Sequence, residues 1–62
     1  MNRSPYFQIF RGSNGQWYWR LRDGNHKTIA DGSEGYVSKD GVIRAINNVI
    51  DAVKNCDQTI HE

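Results

Sequence analysis

The chain of 62 residues has little of the chemistry that metal sites and nucleophilic enzymes use, with one cysteine, Cys56, and two histidines, His26 and His61. A single thiol excludes an internal disulfide and is typical of a protein from a reducing compartment. The histidines are far apart, and neither C-x-x-C nor H-x-x-x-H spacing is present. Cys56 and His61 also lack a third residue that would orient the imidazole for nucleophilic catalysis. The sequence therefore predicts no catalytic residues, no metal and no cofactor, and we expect a protein that is not an enzyme.

Long apolar runs and an excess of charge are absent too. No stretch approaches the ~20 apolar residues that span a bilayer, and the segment Met1–Phe10 lacks the apolar core of a signal peptide. We therefore expect a cytoplasmic protein that makes no use of a membrane. Eight basic and seven acidic residues give a net charge of +1, whereas nucleic-acid modules usually show a marked basic excess. The GSEG segment at Gly32–Gly35 lacks the Lys-Ser/Thr ending of a phosphate loop, and no small-molecule substrate is indicated.

Three segments that are present are typical of β-strands: YFQIFR at Tyr6–Arg11, QWYWRLRD at Gln16–Asp23 and KTIADG at Lys27–Gly32. Clusters of glycine, serine, asparagine and aspartate bound each of them, as turns require. After Ser38 the pattern changes, because apolar residues recur at three- and four-residue steps along one face of a helix. These residues are Val42, Ile46, Val49, Ile50 and Val53.

This order predicts an α+β fold, namely a three-stranded antiparallel β-meander followed by one α-helix packed on one face of the sheet. Ser38 is a suitable N-cap for the helix, and Asp40 and Lys54 lie where the helix dipole favours their charges. We expect a single domain over residues 1–62, with its core at roughly 6–55 and a frayed tail at 57–62.

Turn chemistry decides which side chains share a face of the sheet. A two-residue turn at Asn14-Gly15 would place Ile9 opposite Arg20 and mix core with charge. A three-residue loop, Ser13–Gly15, instead pairs Ile9 with Trp19 and keeps the faces separate. A second three-residue loop at Gly24–His26 would add Ile29 to the apolar side. The predicted core is then Phe7, Ile9, Trp19, Leu21, Ile29, Val42, Ile46, Val49 and Val53, with Trp17 at its margin.

Side chains alternate along a strand, so the opposite side of the sheet carries a mixed aromatic and basic surface. We call it the Tyr/Arg face, and it comprises Tyr6, Gln8, Phe10, Tyr18, Arg20 and Arg22. Open sheet faces of this kind bind single-stranded nucleic acids by base stacking and phosphate contacts. The same residue types also form cross-strand pairs that stabilise a sheet without a ligand, and they are enriched in protein interfaces.

The motifs F-x-I at Phe7–Ile9, G-x-W-x-W-R-L at Gly15–Leu21 and SEGYVSK at Ser33–Lys39 together resemble the YegP-like family. That family consists of small, uncharacterised bacterial and archaeal proteins, and the match extends to Val53. Its most telling residues here are Ser33, Glu34, Gly35, Tyr36, Ser38 and Lys39. The resemblance implies a β-β-β-α unit that occurs twice in one chain or once in a chain that self-associates. The sequence departs from the family at His26, where glycine is usual, although histidine tolerates a left-handed conformation.

Because this chain has one copy of the unit, the resemblance implies a homodimer. Edge-to-edge pairing of two sheets would leave the Tyr/Arg face open, whereas face-to-face stacking would bury it. The sequence therefore favours a non-enzymatic, self-associating module whose cellular role it does not reveal. The alternative is weak binding of single-stranded nucleic acid through the Tyr/Arg face.

Overall fold

The computed structural model describes residues 4–62 and consists of one sheet and one helix. Strand β1 spans Tyr6–Arg11, β2 spans Trp17–Arg22, β3 spans Thr28–Asp31, and helix α1 spans Lys39–Asn55. The strands are antiparallel in the order β1-β2-β3, and α1 packs on the central strand. The predicted α+β fold is confirmed. The expectation that Met1–Phe10 lacks the apolar core of a signal peptide includes residues 1–3, which lie outside the described part of the chain.

The connection between β1 and β2 contains a three-residue loop, Ser13–Gly15, as the sequence predicts. The Gly12 N–H donates to the Gln16 carbonyl at 2.8 Å and closes the loop. Its last residue has φ +84°, a left-handed conformation that glycine adopts without a Cβ clash. The predicted register follows, with Ile9 opposite Trp19.

The connection between β2 and β3 contains a second three-residue loop, Gly24–His26, which is closed in the same way. The Asp23 N–H donates to the Lys27 carbonyl at 2.9 Å. The Asp23 carboxylate accepts from the backbone N–H of Asn25 at 2.8 Å and of Lys27 at 3.0 Å. His26 has φ +66°, so the histidine does hold the left-handed position where glycine is usual.

A register shift in β3 changes the position of Ile29. Arg22 pairs with Thr28, but its neighbour Leu21 pairs with Ala30, which leaves Ile29 as an extra residue between the two pairs. Such a bulge disrupts the alternation of side chains along a strand. Ile29 is 56% exposed, so the prediction that it belongs to the core is wrong for the single chain.

Helix α1 begins at the residue that its sequence indicates. Ser38 has an extended backbone, and its hydroxyl accepts from the Gly41 N–H at 3.0 Å. This bond satisfies one of the donors that a helix N-terminus leaves unpaired. Asp40 lies in the first turn and Lys54 in the last turn, each at the end of the helix dipole that favours its charge.

The core is small and centres on two side chains. Trp19 is 9% exposed and Val42 is fully buried. The Trp19 ring meets the Phe7 ring edge-on at 5.8 Å between centroids. The other predicted core residues in the middle of the elements are half-buried: Phe7, Ile9, Leu21, Ile46 and Val49.

Val53 differs from the prediction, because it is 66% exposed rather than part of the core. The 17 residues of α1 rise about 26 Å at roughly 1.5 Å each. A six-residue strand is only about 20 Å long, and three strands are roughly 10 Å wide. The helix is therefore longer than the sheet in either direction, so part of it remains uncovered.

The tail after α1, residues 56–62, contains no helix or strand. The Asp57 carboxylate accepts from the Thr59 hydroxyl at 2.6 Å and from the Thr59 N–H at 2.9 Å. The bond from the hydroxyl and, to a smaller extent, the bond from the N–H hold the pKa of Asp57 below its usual 3.8. The fraying of residues 57–62 stays a prediction.

Candidate binding face of the sheet

The register of β1 and β2 brings the six residues of the Tyr/Arg face together as three cross-strand pairs. Tyr6 lies opposite Arg22, Gln8 opposite Arg20, and Phe10 opposite Tyr18. Trp19 is buried on the side of the sheet where α1 packs. Its neighbours along β2 therefore lie on the other side. The register of the two strands therefore places the six residues of the Tyr/Arg face side by side on one side of the sheet.

Three planar groups form a row at one end of this face. The Phe10 and Tyr18 rings are stacked, with centroids 5.7 Å apart and planes 23° apart. The Arg20 Cζ lies 3.9 Å from the Phe10 centroid, close enough for an attractive contact between the cation and the ring. The Asn14 side chain donates to the Tyr18 hydroxyl at 2.8 Å and anchors the other end of the row.

Hydrogen bonds organise the opposite end of the face. The Arg22 Nε donates to the Gln8 Oε1 at 2.9 Å, and its Nη1 donates to the His26 carbonyl. The Tyr6 hydroxyl and the His26 Nδ1 are hydrogen-bonded at 2.6 Å, and their rings meet edge-on at 5.8 Å. Sequence reasoning missed His26 as a neighbour of this face, because its only signal was its place in the loop that follows Arg22.

The two arginines consequently have different surroundings. Arg22 is bound to an amide and to a backbone carbonyl, so it holds the second loop against β1. Arg20 is held by the Phe10 ring, and its cross-strand neighbour on β3 is Asp31. A guanidinium positioned on a ring keeps N–H donors available for a planar anionic partner.

The SEGYVSK segment shapes the connection between sheet and helix. A Cβ atom at Gly35 would lie 2.9 Å from the Tyr18 hydroxyl, so a larger residue would displace its neighbours. Tyr36 exchanges two backbone hydrogen bonds with Trp17, at 2.7 and 2.9 Å, and Ser38 caps α1. The remaining residues of the segment are exposed: Ser33, Glu34, Val37 and Lys39.

Among residues 4–62, no three histidine, cysteine, aspartate or glutamate side chains lie together as metal ligands. No helix in the described part of the chain has both the length and the apolar character to cross a membrane. Cys56 is exposed, and its thiol donates to the Val53 carbonyl at 3.3 Å.

Comparison with known proteins gives a consistent result. A model of the family described as "Domain of unknown function (DUF1508)" matches residues 13–60. Two "UPF0339" proteins, from Neisseria meningitidis serogroups B and A, are each 43% identical over 42 residues, which cover 68% of this chain and 73% of theirs. The NMR solution structure of a protein from Haloferax volcanii superposes over 100% of both chains, with a TM-score of 0.83 and 31% identity. The family resemblance seen in the sequence is therefore confirmed, and this chain belongs to the uncharacterised DUF1508 family.

Proposed function

We propose that this protein is a non-enzymatic module that acts by self-association, with a second copy of the same chain as its partner. The main support is the surface that the single chain leaves uncovered. The chain is 7.1 kDa and exposes 5221 Å², whereas a folded monomer of this mass exposes about 4100 Å². Its radius of gyration of 13.0 Å is that of a compact domain of about 100 residues.

Large apolar side chains are part of the exposed surface. Large apolar side chains are exposed on β3, in the connection before the helix, on α1 and in the tail: Ile29, Val37, Ile43, Val53 and Ile60. Where exposed apolar side chains come together in one patch, they mark interaction sites in soluble proteins. A stable interface takes about 800 Å² from each partner, which is roughly one sixth of the 5221 Å² that this chain exposes.

A second copy suits this surface for two reasons. A core of two buried side chains, Trp19 and Val42, is small even for a short domain, and oligomerisation is a common way to stabilise such scaffolds. The net charge of +1 means that two copies repel each other only weakly. Contacts through Ile29 and Val53 would also leave the Tyr/Arg face open, which favours edge-to-edge pairing over face-to-face stacking.

Light scattering over a range of protein concentrations tests the proposal. We expect the unaltered chain to have twice the 7.1 kDa mass of one copy, down to low micromolar concentration. The double variant Ile29→Thr, Val53→Gln should have the mass of one copy, because it removes exposed apolar surface that the partner would cover. Both changes keep the local propensity for strand or helix, so the monomer should remain folded.

Arg20→Glu is the matched control, because it changes the Tyr/Arg face and leaves the apolar side chains intact. We expect this variant to remain a dimer. If two copies instead stacked through the Tyr/Arg face, charge reversal at Arg20 would separate them. A monomeric mass for the unaltered chain would contradict the proposal itself.

A further inference from the structure

We propose that the Tyr/Arg face is a binding site for single-stranded nucleic acid, with the row of Tyr18, Phe10 and Arg20 as its stacking platform. This site goes beyond self-association and uses different residues, so either proposal can fail without the other.

The platform follows from the spacing of three planar groups. The Tyr18 and Phe10 rings are 5.7 Å apart and nearly parallel, and the Arg20 guanidinium lies 3.9 Å from the Phe10 centroid. All three side chains are half-buried, so each remains partly exposed to solvent. Unpaired bases stack on aromatic rings and on guanidinium planes in the same way.

Arg20 supplies the charge for a phosphate. The hydrogen bonds of Arg22 go to Gln8 and His26, whereas the contact that positions Arg20 is with a ring. A guanidinium already held in one orientation loses little further freedom when it binds an anion. The contact with the Phe10 ring therefore orients the Arg20 guanidinium so that it could bind the phosphate next to a stacked base.

The few charges on this face indicate that it would bind single-stranded nucleic acid weakly and with little preference for the base sequence. Arg22 keeps its positive charge while its N–H groups bind Gln8 and His26, so Arg20 and Arg22 together would neutralise about two phosphates. Asp31 beside Arg20 limits the gain. For single strands, each neutralised phosphate contributes about 0.7 to the dependence of log K on log salt, so two contribute roughly 1.4. Affinity should therefore fall about sevenfold when the salt concentration rises fourfold.

A fluorescence anisotropy titration with a fluorescein-labelled oligothymidine tests the site. The oligothymidine should bind the full chain at low salt and weaken about sevenfold between roughly 50 and 200 mM salt. Arg20→Gln should lower the affinity at least tenfold. Lys54→Gln, which removes the same charge from the last turn of α1, should leave the affinity unchanged. The proposal is overturned by an absence of binding at low salt, or by equal losses in the two variants.

Two further measurements separate the ligand from other anions and from misfolding. Unlabelled oligothymidine should displace the probe, whereas polyglutamate of matched charge should not; equal displacement would mean a general anion surface and would overturn the proposal. In NMR spectra of the unaltered chain, the oligonucleotide should shift the amide signals of β1 and β2 more than those of α1. Shifts confined to the helix would also overturn it, and this test requires no variant to fold.

Discussion

The glycine beneath the tryptophan ring shows how one residue shapes the core. A Cβ atom at Gly32 would lie 2.7 Å from Cε2 and 2.9 Å from Cδ1 of the Trp19 indole. The Gly32 N–H also donates to the Trp19 carbonyl at 3.1 Å, so the backbone cannot easily move away. The sequence places this glycine where the third predicted strand ends and a turn begins. It does not predict the contact with the ring, because the ring belongs to another strand.

Gly32→Ala should therefore destabilise the fold by about 1–3 kcal/mol through overpacking. Urea unfolding followed by tryptophan fluorescence measures the loss. Because Trp19 is the ring that must move, the fluorescence of the folded protein should change as well. An unaltered unfolding midpoint would mean that the ring and Gly32 are not in close contact.

Gly15→Ala is the comparison for this experiment. Gly15 has φ +84° but open space around its Cα, so alanine there meets backbone strain of roughly 1–2 kcal/mol and no clash. We expect a lower midpoint with the fluorescence of the folded protein unaltered. A changed emission spectrum in this variant would show that the spectrum does not report on the Trp19 contact.

At the scale of the elements, the sequence correctly predicts the features that depend on a few neighbouring residues. The two three-residue loops and the left-handed residues at their ends, Gly15 and His26, are predicted correctly because turn type depends on a few adjacent residues. The register of β1 and β2 follows from the first loop. The bulge at Ile29 is not predicted, because no glycine in TIAD marks it.

The helix N-terminus provides a prediction at the same scale. Ser38→Ala removes the hydroxyl that accepts from the Gly41 N–H and should lower the free energy of unfolding by about 1 kcal/mol. Urea unfolding followed by circular dichroism measures this change. Ser33→Ala is the matched control, since Ser33 is exposed and lies outside the helix, and it should unfold like the unaltered chain. Equal effects of the two changes would contradict the capping role.

The sequence predicts which residues lie on the Tyr/Arg face, but it does not predict the contacts that these residues make with one another. Alternation along β1 and β2 assigns all six residues to one side once the loop sets the register. Which arginine lies on a ring and which binds a carbonyl depends on side-chain rotamers and on the second loop. The different surroundings of Arg20 and Arg22 therefore emerge only in three dimensions.

For the whole molecule, the self-association that we propose would account for both apolar residues that the prediction placed in the core and the structure exposes. Ile29 and Val53 have the apolar character of core residues but are 56% and 66% exposed. In a small domain, such residues are explained if a partner chain completes the core. Folding and self-association should then be linked, because a partner that binds only the folded chain stabilises it by mass action.

Thermal unfolding at different protein concentrations tests this linkage. A hundredfold rise in concentration stabilises a dimer by about 2.7 kcal/mol, or about half of that per chain, and should raise the Tm by roughly 5–10 °C for a domain of this size. The monomeric Ile29→Thr, Val53→Gln variant should have a Tm that does not depend on concentration. The same independence in the unaltered chain would mean that the single chain is stable with both apolar side chains in water, and that the partner is not needed for the fold.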